Sequence, residues 1–216
     1  MAAITTLIPD VRVHIPEIPV FVASRELIRA AREFCEMTRA WRVDISIGVT
    51  ASVATVDLTS LLPATTELVD IISIKNILGG QPVVPRTQAW LDTNLTQWRT
   101  LEDLNANYYV QSWNNVIRFV YTPSTTIANK YYARVAVKPL IATTTTIDDV
   151  IVNKYDEVLV HGALARLFVI PRKPWTDPNY ATFHKHLFDQ SIGPARTEAA
   201  EEFQTGIPRR VKYGGL

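Results

Sequence analysis

The stretch Leu27-Ile-Arg-Ala-Ala-Arg-Glu-Phe-Cys-Glu-Met-Thr-Arg-Ala-Trp41-Arg-Val-Asp-Ile-Ser-Ile-Gly-Val49 changes its hydrophobic period halfway along. As far as Thr38, the residues Leu27, Ile28, Ala31, Phe34 and Cys35 recur at helical spacing, which puts them on one face of a helix. From Val43 the period becomes two. Val43, Ile45, Ile47 and Val49 alternate with Asp44, Ser46 and Gly48, the pattern of a strand with one buried face. Ser24 is expected to cap the helix, with Glu26 in its first turn where the macrodipole favours an anion. Arg29 with Glu33, and Arg32 with Glu36, should make the opposite face a solvated charge ladder, and Trp41 should seal the helix end.

Upstream, residues 8–19 carry Pro9, Pro16 and Pro19 and are expected to form an extended arm that holds no helix. Downstream, residues 68–78, 108–113, 116–121 and 131–138 read as further strands. Asn114-Asn115 is placed as a hairpin turn and Gly79-Gly80 as another turn. Residues 87–104, with Trp90 and Trp98, have mixed periodicity and read as a short helix or loop.

Asp148-Asp149 opens a second helix with a stripe through Ile151, Tyr155, Val158, Leu159, Gly162, Ala165, Arg166 and Val169, ending before Pro171. Gly162-Ala163 should let another helix approach closely. Asp177 caps a third helix with Pro178 at its first position. Ala181, His184, Phe188, Ser191, Ala195, Ala199 and Phe203 face inward, and Gly193-Pro194 should kink or interrupt the helix. This order predicts an α+β protein: an antiparallel helical bundle from N- and C-terminal helices (1–42 and 147–203), an inserted β-rich domain (43–146) and an extended C-terminal tail (204–216).

Composition narrows the function. In 216 residues, 47% are apolar and 20% charged, ordinary globular usage without a repeat. With 22 basic against 21 acidic side chains, bulk charge gives no reason to expect tight nucleic-acid binding. The single cysteine, Cys35, has no intrachain partner, and no window resembles a signal peptide or a membrane span, so a soluble, reduced chain is expected.

Chemistry is sparse. Nucleophile-elbow, Walker, dinucleotide and zincin motifs are absent. His184 and His186 lie about 200° apart around a helix and cannot clasp one ion. His161 could face His184 across a helix pair, where a hydrogen-bonded core histidine is the simpler reading. Asp148-Asp149 suits a cap and Glu201-Glu202 a solvated face, while Cys35 beside Phe34 packs as a small hydrophobe. No catalytic, metal-binding or cofactor-binding residues and no cofactor are expected, and the chain is read as a non-enzyme.

Three segments carry a resemblance. Ile15-Pro-Glu-Ile-Pro with Ala31-Arg-Glu-Phe-Cys-Glu-Met-Thr-Arg-Ala-Trp41 resembles the opening of head-to-tail adaptor (connector) proteins of tailed bacteriophages. Asn115-Val-Ile-Arg-Phe-Val-Tyr-Thr-Pro123 and Val135-Ala-Val-Lys-Pro139 look like that family's strands. Tyr155-Asp-Glu-Val-Leu-Val-His-Gly-Ala-Leu-Ala-Arg-Leu167 followed by Pro171-Arg-Lys-Pro-Trp-Thr-Asp-Pro178 is similar to the Gly-Ala-hydrophobic-x-Arg-Leu and Pro-Trp-x-Asp-Pro segments of these adaptors.

The resemblance implies a structural virion protein of the neck, made in the host bacterial cytoplasm. It would form a dodecameric ring under the portal and join the capsid to a downstream tail protein (nozzle or tail tube). Genomic DNA would pass through the lumen during ejection without sequence-specific binding, and no membrane is involved. The portal-contacting segment it implies is Pro208, Arg209, Arg210, Val211, Lys212 and Tyr213, whose charges and aromatic ring suit ordering against a partner. Three other readings stay open. The chain could be another neck component such as a stopper or terminator, a hydrolase if His161, His184 and a carboxylate converge in a pocket, or a nucleic-acid-binding module if the basic residues gather on one surface.

Overall fold

Pro9 stands in the first turn of a helix, where a missing backbone N–H costs nothing because no intrahelical acceptor exists for it. The first seven residues of the expected extended arm are therefore helical, while residues 15–19, with Pro16 and Pro19, form the non-helical link to the next helix. In the computed structural model, which describes residues 2–77, 79–112, 115–141 and 146–201, the short strand β1 (Ala2–Ala3) and a 3₁₀ turn lead into α1 (Ile8–His14). The long helix α2 (Val20–Thr38) starts directly after Pro19, a turn before the expected Ser24 cap, and ends at Arg39 in the left-handed conformation. β2 (Arg42–Val49), β3 (Thr55–Asp57), β4 (Thr66–Asn76) and β5 (Pro82–Pro85) follow, then α3 (Gln88–Asn94), β6 (Glu102–Asp103), β7 (Tyr108–Gln111), β8 (Val116–Val120), β9 (Thr122–Pro123) and β10 (Ile127–Pro139). The chain closes with β11 (Thr146–Ile147), α4 (Asp149–Lys154), α5 (Asp156–Leu167) and α6 (Pro178–Ala200).

Seven strands form one sheet in the order β2-β10-β4-β5-β7-β8-β3. Only the β5–β7 pair is parallel. The edge strands β2 and β3 are neighbours in the chain, joined through a tight Thr50–Val53 bridge, so the sheet curls until it is nearly closed. β7 and β8 pair antiparallel around the expected turn, with Asn115 at φ +59°; Trp113 and Asn114 lie outside the described residues. Gly80, at φ +63°, turns β4 into β5 and donates its N–H to the Asn76 carbonyl at 2.8 Å.

This arrangement corrects the expected architecture. The protein is mixed α and β, but the nearly closed seven-stranded sheet dominates it, and there is no helical bundle carrying a separate β insert. The physical reason is the core. One continuous buried cluster runs from Ile4 and Val11 through Leu27 and Phe34, across the strand residues Ile45, Ile47, Val135 and Val137, to Leu159, Phe188 and Ala199. Helices and inner sheet face bury each other, so neither layer has an apolar face left to make a core alone.

The solvated charge ladder on α2 is also corrected. Arg32 reaches Glu67 of β4 at 2.6 Å and the Pro139 carbonyl at 3.0 Å, and Glu36 accepts from Lys138 of β10 at 3.0 Å. Glu33 accepts from Arg166 and from Lys185, while Arg29 turns back to Glu26 at 2.9 Å. Each of the four expected partners is claimed by another group, because α2 is wedged between the sheet strand β10 and the helices α5 and α6.

α5 meets both α2 and α6 at Gly162. A Cβ there would lie 2.8 Å from the Phe188 ring and 2.9 Å from the Ala30 Cβ, so only glycine permits this three-helix crossing. The expected single helix from Asp149 is divided at Tyr155, whose hydroxyl donates to Glu198 at 2.8 Å. Asp177 caps α6 as expected, accepting from the Asn179 and Tyr180 N–H groups at 2.9 and 3.2 Å. α6 then continues through Pro194 without interruption. Gly193 and Pro194 are exposed, so the carbonyl that loses its helical partner can bond to water.

Candidate interaction surfaces

The residues expected to contact a portal, Pro208, Arg209, Arg210, Val211, Lys212 and Tyr213, lie outside the described residues, as does Phe203. What the fold does build is a set of surfaces around the helical layer and a second small core on the sheet.

The expected His161–His184 contact exists: the two Nδ1 atoms are 3.1 Å apart. Sequence reading missed the third member. His14, at the end of α1, sets its ring edge-on to His184 with centroids 5.3 Å apart, and Phe168 stacks on His184 from the other side at 5.6 Å. Nothing local to His14 signals this, since its partners are brought in by the packing of α1 on α5. Burial, then the neighbouring His161 and His14, push His184 down to about 4; burial also lowers His161 against the pull of Glu157. A neutral pair sharing one proton is the chemistry that results, with one Nδ1 donating and the other accepting. Among the described residues no three His, Cys, Asp or Glu side chains are placed to hold a metal ion. Cys35 is fully buried, and burial, with Asp148 adding to it, pushes its thiol up to about 12, so it packs as the sequence suggested.

Beside this cluster, the ends of α1 and α5 and the start of α6 frame an open groove of about 700 Å³. Its lining includes Val13, Pro16, Phe168, Pro174, Trp175 and Tyr180, with the carboxylates Glu17 and Asp177 and no lysine or arginine. Val13 is 78% exposed and Tyr180 57%, unusual exposure for side chains this apolar. The indole N–H of Trp175 is buried and has no acceptor among the described residues. The available sequence signal was the Pro-Trp-Thr-Asp-Pro segment, read as a helix cap and as part of the family resemblance but not as a groove.

A second groove of about 890 Å³ runs between α2, α5 and α6, floored by Gly162, Ala165 and Phe188. Its rim charges pair with one another: Glu33 with Arg166 and Lys185, Lys185 with Asp189, and Glu26 with Arg25 and Arg29.

On the outer face of β7 and β8, residues 88–98 fold back as a cover. Leu91, Trp98, Val110 and Val120 make a separate buried cluster, with Trp90, Leu95, Tyr108 and Tyr121 around it. Arg86 lies over Trp90 at 4.7 Å, and Arg99 and Arg118 lie over Trp98 at 4.3 and 5.4 Å. This gives residues 87–104 the role that periodicity alone did not assign. Thr87, whose side chain accepts from the Trp90 N–H, was the legible start signal.

These surfaces offer grooves and stacked cations but no nucleophile held by a base. Among the described residues no helix is long and apolar enough to cross a membrane. No curated protein matches the chain. The family model described as SU10 adaptor protein matches residues 2–210, which spans the N-terminal strand, the sheet and the helical layer, and the chain accordingly belongs to this family of phage adaptor proteins.

Proposed function

We propose that this chain is a head-to-tail adaptor that assembles as a ring, dodecameric in the reading drawn from the resemblance, beneath the portal. In that position it joins the capsid to the downstream tail protein and leaves a lumen for genomic DNA. The observation that carries the reading is the family match across residues 2–210. The surfaces agree with a protein that works by contact: large apolar side chains are exposed both on the helical layer (Val13, Phe21, Val169, Tyr180, Phe183) and around the sheet (Val53, Leu61, Ile77, Leu101, Leu104). Near-neutral net charge suits a wall past which DNA slides without being clamped. Within this reading Pro208 to Tyr213 remain the segment assigned to the portal.

The test is negative-stain electron microscopy of the protein mixed with purified portal from the same genome. A ring of added density at the narrow end of the portal, with rotational symmetry, is the expected result. A protein that stays monomeric and adds no density sinks the adaptor reading.

A further inference from the structure

We infer that the aromatic groove at the start of α6 is the berth of the C-terminal segment beginning at Pro208, supplied by a neighbouring copy of the chain. The inference rests on the adaptor reading only in naming what later removes the segment, namely the portal. Its first support is chemical. The groove offers Phe168, Trp175 and Tyr180 with Pro16, an aromatic and proline lining of the kind that receives extended proline-containing segments. The chain carries such a segment in Ile207-Pro-Arg-Arg-Val-Lys-Tyr213.

Charge is the second support. Glu17 and Asp177 line the groove and no lysine or arginine does; Arg172 and Lys173 come before Pro174 in the chain but are not part of the lining. Glu17 is exposed and has no cationic partner among the described residues. Residues 204–216 contain Arg209, Arg210 and Lys212 and no acidic residue, so the two surfaces are complementary.

Reach decides whose segment it is. The groove lies at the N-terminal end of α6 and the tail departs from the other end, beyond Glu201. The 23 residues of α6 separate the two by about 35 Å. Pro208 is seven residues past Glu201, which spans at most about 24 Å when fully extended. A chain therefore cannot lay Pro208 and Arg209 in its own groove, whereas a neighbour can. A contact between one patch of a subunit and a different patch of the next is heterologous, the kind that closes into rings.

The experiment uses two full-length chains. One is ¹⁵N-labelled and carries Thr176→Cys beside Trp175; the other is unlabelled and carries Arg210→Cys. Cys35 is buried and stays silent. Mixed under mild oxidation, they should yield a 176–210 disulfide joining a labelled to an unlabelled peptide. That product should be lost when the groove chain also carries Glu17→Lys and Trp175→Phe, with circular dichroism showing that the variant keeps its fold.

A control chain with Ser60→Cys, on the 3₁₀ turn before β4, should give little product with Arg210→Cys. Equal yields at 60 and 176 would overturn the inference. So would a 176–210 link that, in a chain carrying both Thr176→Cys and Arg210→Cys, forms only within single chains. Adding portal should suppress the link; a link that forms normally and persists with portal bound would overturn the claim that portal claims this segment. Portal binding itself, seen by microscopy of the same mixture, reports separately on the adaptor reading.

Discussion

The main core and the small cluster under α3 solve the same problem at different scales. The main core takes residues from every helix except α3 and from the inner sheet face, so its members hold one another across the whole chain. The small cluster buries only Leu91, Trp98, Val110 and Val120, and makes up the shortfall with arginines stacked on tryptophan and tyrosine rings. Burial in the first is shared among many elements, while burial in the second depends on one short helix and one loop. Loss of a large side chain should therefore be a global event in one region and a local one in the other.

The sharpest way to break this distinction is a pair of truncations. Phe119 is 1% exposed and stacks on Tyr131 with ring centroids 4.5 Å apart, on the inner face of β8. Phe119→Ala should cost about 4 kcal/mol of global stability in urea unfolding. Leu91, fully buried in the small cluster, should cost about 2–3 kcal/mol as Leu91→Ala, but locally. Hydrogen exchange in the Leu91 variant should accelerate over residues 88–111 while amides of α2 and α5 keep their protection. If the α2 amides open to the same extent, the two clusters are one cooperative unit and the distinction fails.

The same contrast explains what was legible in the sequence. The alternation of β2 and the inward face of α2 are read within a single element, and Ile45, Ile47, Leu27 and Phe34 are buried where the periods placed them. Gly162 was legible as a close-approach point because its lack of a side chain is itself the signal. The small cluster was not legible, because Trp90 and Trp98 pack against Val110 and Val120 of strands that begin well after them in the chain. The helical α1 was missed for a different reason: Pro9 forbids a helix interior but is at home in a first turn, and proline counting cannot tell the two apart. The bundle-plus-insert architecture failed at the same level, since a periodic pattern shows that a face is buried without showing what covers it.

The histidine cluster tests how the helical layer responds to acid. His184 is 2% exposed and flanked by His161, His14, Phe168 and Phe183, with Glu157 acting on His161. Its folded value near 4 lies below the ordinary histidine value of about 6.5 that the unfolded chain should show. Between these values the unfolded chain binds a proton that the folded chain does not. Stability from this group is complete above about pH 6.5 and is lost as the pH falls toward 4, by up to about 3 kcal/mol. Urea midpoints measured at pH 7, 6 and 5 should fall more steeply for the wild type than for His184→Gln. Parallel slopes would show that the imidazole is protonated without consequence. Carboxylates held low by their partners, Glu33, Asp44 and Glu198, titrate in both proteins and cancel in the comparison.

The smallest effect separates two kinds of ion pair. Asp44 and Arg134, 2.9 Å apart, join β2 to β10 across the outer sheet face, where backbone hydrogen bonds already fix the strands. Glu33 takes Arg166 from α5 and Lys185 from α6, so one carboxylate ties three helices that share no backbone bonds. Burial works against its charge, yet the hydrogen bonds from Lys185 and Arg166 outweigh that and hold Glu33 below the usual carboxylate range. All of these groups are partly solvated, so screening limits what either pair contributes. Asp44→Asn should change stability by less than about 0.5 kcal/mol and Glu33→Gln by about 1 kcal/mol, both read from urea unfolding at pH 7. Salt should erase most of the Asp44 difference and leave part of the Glu33 difference, because a half-buried carboxylate bonded to two helices is less exposed to counterions than one on an open strand. Equal costs with equal salt dependence would place the Glu33 network among ordinary surface pairs, and the three-helix crossing would then rest on the packing around Gly162 alone.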